Sequence, residues 1–156
     1  PASELPFELQ TDSDFSANGR PHKVVEVHPA LALWLIYEWL MPEKEKHSGK
    51  KNNEVLFKYK GNDSRPEAKE RLFRGLKHFV QDDTATFKVV DQIENDYLID
   101  DLTDDELDAL TAWCLGNLWV NKTDKVRLLG DEVKGTFLLP ANDEMDEQFG
   151  KFLQTA

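Results

Sequence analysis

A chain of 156 residues, 40% hydrophobic and 31% charged, is long enough to bury a core of its own and is neither disordered nor membrane-like in composition. Its formal net charge of −11 is unevenly spread, at −4 over residues 1–42, +5 over 43–80 and −12 over 81–156. Such acidity favours solubility and handicaps nucleic-acid binding at long range. Cys114 is the single cysteine, so an intramolecular disulfide is excluded. With no stretch patterned as a secretory leader, the expected setting is cytoplasmic.

Residues 1–23 include the polar run TDSDFSANG and read as an extended arm or loop. Asp12, Asp14, Ser16 and Asn18 alternate as in a calcium loop, but Ala17 stands where glycine is needed and Lys23 where the bidentate Glu belongs. No metal site follows. KVVEV, 23–27, predicts a short strand. Next comes HPALALWLIYEWLMP, apolar between two prolines except for Glu38. Pro29 suits a first helical turn and Pro42 forbids continuation, which predicts a helix over 29–41. Thirteen residues at 1.5 Å each reach about 20 Å, short of the roughly 30 Å that a bilayer requires. The helix therefore reads as the spine of a core, burying Trp34, Leu35, Ile36, Trp39 and Leu40.

Residues 43–54 contain no apolar side chain and read as a mobile loop. VLFKYK alternates and predicts a strand over 55–60. Ser64 and Glu67 have capping-box spacing ahead of a helix that runs to about Gln81, with Leu72, Leu76 and Phe79 on its apolar face. TATFKVV, 84–90, alternates again and reads as a strand, with DYLI, 96–99, as a weaker one. Thr103 and Glu106 form a second capping-box pattern, opening a helix to about Trp119 with the stripe Leu107, Leu110, Cys114 and Leu118. KVRLL and GTFLL around GDEVKG predict a hairpin, and NDEMDEQFGKFLQ a closing helix. The expected fold is α+β, a single domain over 1–156. About four helices pack on a small antiparallel or mixed sheet, with a C-terminal β-hairpin followed by a helix.

Two charged clusters carry the functional candidates. The run DDLTDDELD supplies Asp101, Asp104, Asp105 and Asp108. Carboxylates in a first helical turn complement the helix dipole by about 0.3–1 kcal/mol each. They also form a surface suited to a basic protein, with Trp113 as an anchoring aromatic. Imitation of nucleic-acid phosphates is opposed by the positive middle segment. That segment is the second cluster. Lys58 and Lys60 interleave with Phe57 and Tyr59, while Arg71, Arg74 and His78 share a helical face, an arrangement that can meet phosphates and bases. A helix followed by a hairpin is also how winged-helix domains end, but this helix opens with acids that repel phosphates.

Catalysis finds little support. There is no G-x-S-x-G, phosphate-cradling glycine loop or H-E-x-x-H, and His22, His28, His47 and His78 lack metal-ligand spacing. Cys114 sits on an apolar stripe and reads as an inert buried thiol. The leading expectation is a non-enzymatic protein-binding regulator, adaptor or inhibitor without cofactor or metal. It engages a basic protein partner through Asp101, Asp104, Asp105, Asp108 and Trp113. Nucleic-acid binding through 50–78, with Lys58, Lys60, Arg71 and Arg74, is the alternative, and a small acid–base enzyme using Glu38 the third.

Overall fold

The computed structural model describes residues 8–9, 23–24, 26–42, 59–61, 64–121, 123–131, 135–142 and 147. Among these, four α-helices pack with an antiparallel hairpin, an α+β arrangement. The helices are α1 (Pro29–Leu35), α2 (Pro66–Phe79), α3 (Thr84–Asp96) and α4 (Asp104–Val120). Strands β1 (Glu8–Leu9) and β2 (Lys23–Val24) form a two-residue parallel pair. Strands β3 (Val126–Asp131) and β4 (Gly135–Pro140) form the hairpin, in the register Val126↔Pro140 to Asp131↔Gly135. Beyond β2, Leu138 N–H donates to Glu26 O at 2.9 Å, and Val27 bridges Leu138, so the chain before α1 lines the free side of β4. The expected strand residues 55–58, the expected loop 43–54, and the closing helix apart from Glu147 lie outside the described residues.

The segment between the two prolines is helical, as its composition demands. Pro29 occupies the first turn, and the His28 imidazole caps it by accepting from Leu31 N–H at 3.4 Å. From Ile36 to Leu40 the helix widens into a π turn, closed by Met41 N–H donating to Ile36 O at 2.9 Å. Ala32, Leu33, Ile36 and Tyr37 are buried, and Leu35 lies in a smaller cluster with Leu139. Trp39 departs from expectation, being 49% exposed. A π turn holds more residues than an α turn, so positions beyond Ile36 rotate off the ideal helical face and Trp39 swings outward. Among the described residues, no helix is long and apolar enough to cross a membrane.

Two helix starts separate a formed capping box from an unformed one. At α4 the box is complete. Thr103 Oγ1 accepts from Glu106 N–H at 3.1 Å, and the Glu106 carboxylate accepts from Thr103 N–H at 2.8 Å. At α2 it does not form. Arg65 is the N-cap, held extended because Pro66 follows it, and no side chain caps the helix. Glu67 instead pairs with Arg71 one turn on.

The largest correction concerns residues 84–99. TATFKVV is not a strand but the first half of α3. Asp83 caps it, its carboxylate accepting from Thr86 N–H at 2.9 Å, and buried Thr86 and Val90 with part-buried Ile93 follow helical spacing. DYLI is not a strand either. Tyr97 and Leu98 are extended, but Ile99–Asp101 closes as a 3₁₀ turn. At the other correction, Tyr59 and Lys60 lie in a turn rather than a strand.

One core joins these pieces. Leu33, Ile36 and Tyr37 meet Leu72, Phe73 and Leu76 of α2 and Leu107, Cys114, Leu115 and Leu118 of α4, with Val126, Leu128 and Leu138 of the hairpin beneath. Polar staples pin its edges. Lys77 joins α2 to α3 by donating to Asp91 Oδ1 at 2.6 Å and to Glu94. Lys125 joins the approach to β3 to the end of α2, donating to Phe79 O and Asp82 Oδ2, both at 2.8 Å. Because the α4 box is formed and the α2 box is not, their truncations will differ. Thr103→Ala should lower unfolding stability by about 1 kcal/mol in urea titration, while Ser64→Ala should change it by less than about 0.5 kcal/mol.

Candidate functional site

At 100° per residue, the acidic start of α4 is divided among three directions. Asp104 and Asp108 lie on one flank, and both are engaged by the turn at Tyr59–Gly61. Buried Tyr59 donates its hydroxyl to Asp108 Oδ1 at 2.8 Å, and Lys60 forms an ion pair with the same carboxylate. Gly61 N–H donates to Asp104 Oδ2 at 3.3 Å. Gly61 has φ of 73°, a conformation that glycine adopts without a steric penalty. Burial, reinforced by the Asp108 hydrogen bond, pushes the Tyr59 phenol far above its ordinary pKa. The hydrogen bond from Gly61 is the main cause holding the Asp104 carboxyl below its usual range.

Asp105 points to solvent, and Glu106 turns to the opposite flank, toward α3. There the chain forms a groove of about 360 Å³. Its apolar wall is Ile93, Tyr97, Leu98, Leu102 and Leu110, and its acidic rim is Asp101 and Glu106. Tyr97 and Leu98 are 62% and 72% exposed, so this is an open trough and not a sealed cavity. The helices beside it run antiparallel, since Asn121 after α4 donates to Asp83 before α3 at 3.3 Å. Buried Lys69 of α2 donates to Leu102 O, which anchors the 3₁₀ turn carrying Asp100 and Asp101.

Beyond Leu110 the apolar surface continues. Trp113, one turn further along α4, is 42% exposed, and Val120 near its end is 71% exposed. Around Gly116, nothing lies within 4 Å of where a Cβ would project. Large apolar residues scattered singly on a surface need no explanation, but a run on one side of a helical hairpin does.

The acidic residues singled out in sequence thus part company. Asp101 lines the groove, Asp105 is open, and Asp104 and Asp108 bind the 59–61 turn. In the basic group, Lys60 pairs with Asp108, Arg71 with Glu67, and Arg74 is exposed, while Lys58 lies outside the described residues. Glu38 sits half-buried in the π turn and does not line the groove. Cys114 is fully buried, and burial pushes its thiol up to about 12. Among the described residues, no group of three or more His, Cys, Asp or Glu is placed to hold a metal ion. Tyr97 and Leu98 are residues that sequence reading missed, because the short apolar run DYLI reads as a weak strand. Comparison with known proteins finds no family model, curated protein or solved structure that matches this chain.

Two outcomes test this geometry. Tyr59→Phe should cost about 1–2 kcal/mol in denaturant melts, since it removes a hydrogen bond to a carboxylate without opening a cavity. The caps set the acid response. Thr86 N–H and hydroxyl depress Asp83, the Gly61 N–H depresses Asp104, and the Thr103 N–H and hydroxyl depress Glu106. A folded pKa below the unfolded value gives stability that is fully present above about pH 4 and is lost as pH falls through the depressed values. Urea midpoints should therefore drop from pH 6, about two units above an ordinary carboxyl pKa, to pH 3, about one unit below it, and Glu106→Gln should narrow that drop.

Proposed function

We propose that this chain is a non-enzymatic protein-binding module, a regulator, adaptor or inhibitor, that captures a basic partner through the acidic side of the α3–α4 hairpin. The observation that carries the reading is the open apolar groove beside Asp101 and Glu106, continued by Trp113. Depleted charge along a patch centre, with an aromatic anchor and a polar rim, is the usual anatomy of a protein interface. Asp101 and Asp105 are the acids available to a partner, whereas Asp104 and Asp108 act within the fold. A cytoplasmic setting, with Cys114 kept as a thiol, belongs to the same proposal.

The test begins with affinity capture from the native host and proceeds to kinetics with the protein recovered. Asp101→Asn with Asp105→Asn should slow association by about tenfold at low salt and much less at high salt, where charges are screened within a few ångströms. Trp113→Ala should mainly hasten dissociation. An association rate indifferent to both the acids and the salt would exclude an electrostatically steered basic partner.

A further inference from the structure

We infer that the groove between the end of α3 and the start of α4 receives one amphipathic, basic α-helix from another protein. This rests on the protein-binding reading and makes its partner specific. The groove's wall comes from two antiparallel helices and the link between them, and that link has few backbone groups to offer. Tyr97 N–H donates to Ile93 O at 3.0 Å, and Leu98 O accepts from Asp101 N–H at 3.0 Å. An extended peptide would find no ladder edge here to pair with, so it would desolvate its own backbone without compensation. A helix brings its backbone already bonded.

The dimensions agree. Glu106 to Trp113 spans seven residues, or about 10 Å along α4, the reach of anchors at i, i+4 and i+7 on an opposing helix. Apolar anchors would face Ile93, Tyr97, Leu98 and Leu110, and Lys or Arg at one end would meet Asp100, Asp101 and Asp105. Charge also argues against a second copy as occupant. Two chains of net charge −11 would bring their acidic ends toward one another.

The probes are three synthetic peptides of about sixteen residues, long enough for marginal helicity. One places Leu at i, i+4 and i+7 among Lys and Ala, the second scrambles that composition, and the third replaces Lys by Glu. Each is titrated into the isotope-labelled 156-residue chain and followed by amide chemical shifts. The amphipathic basic peptide should bind at least about tenfold more tightly than the scramble, and should do so through salt-sensitive contacts. Its shifts should centre on Ile93–Leu98 and Asp101–Leu110. Leu98→Ser, at an exposed position that the fold does not need, removes an apolar anchor without adding charge and should weaken it by about tenfold while leaving the rest of the spectrum in place.

Equal binding by the scramble, with shifts confined to Asp100–Asp105, would overturn the helix while leaving the acidic-surface reading intact. Tight binding by the Glu peptide, or failure of both basic peptides, would overturn the two together. Dimerisation on concentrating the chain alone, with shifts at these same groove residues, would make a second copy the occupant and overturn the helix inference.

Discussion

After Asp108, α4 carries no charged side chain through to Val120, so no rotation about its axis can place all its apolar surface away from water on a single side. The fold covers one side thoroughly. Leu107, Thr111, Cys114, Leu115 and Leu118 are fully buried against α1, α2 and the hairpin, and Thr111 returns its hydroxyl to Leu107 O at 2.8 Å rather than leave it unbonded. Each large aliphatic side chain buried this way is worth roughly 1.5–3 kcal/mol before the entropy of ordering it. That burial fixes which face of α4 looks outward. Trp113, Val120 and the Leu110 side of the groove are what remains when the core has taken its share.

The acids at the head of the same helix resolve a tension between stability and recognition. Carboxylates in a first turn favour the helix wherever they point, so composition alone cannot tell a dipole complement from a docking surface. Direction separates them. Asp104 and Asp108 meet donors from Tyr59, Lys60 and Gly61, more than forty residues earlier, and thereby tie that turn onto α4. Glu106 closes the capping box and also stands on the groove's rim. One helical turn thus nucleates the helix, fastens a distant segment and presents negative charge to solvent.

What could be read in the sequence was the part governed by short-range chemistry. The proline-bounded α1, the periodic α2, the Thr103–Glu106 box and the β3–β4 hairpin each depend on residues a few positions apart. The burial of Cys114 follows from the same periodicity. The failures have equally local causes. Thr84 to Val90 alternate in polarity as a strand does, and only the Asp83 cap with Thr86, Val90 and Ile93 reveals the helix. Trp39 left the core because of a π turn that no spacing rule marks. The groove was hidden because Tyr97 and Leu98 of its wall lie in a segment that reads as a strand, while Leu102 and Leu110 come from the next turn and from α4. The bonds from Tyr59 and Lys60 to Asp108 were hidden by sequence distance.

The uneven charge acquires its meaning from where the cations go. Several lysines and arginines of the positive middle segment are spent inside the fold: Lys60 on Asp108, Lys69 on Leu102 O, Arg71 on Glu67, and Lys77 on Asp91 and Glu94. A cation whose field is cancelled by an adjacent carboxylate contributes little to the potential beyond about 10 Å, the screening length near 0.1 M salt. The positive field of the described part of the middle segment is therefore weaker than its composition suggests. Positive charge serves here as an internal fastener, while Asp100, Asp101 and Asp105 stand exposed beside an apolar trough. Long-range attraction to basic groups and short-range affinity for apolar ones then converge on the same few residues. That convergence weighs toward a basic protein segment and away from a phosphate backbone, which would be attracted by neither.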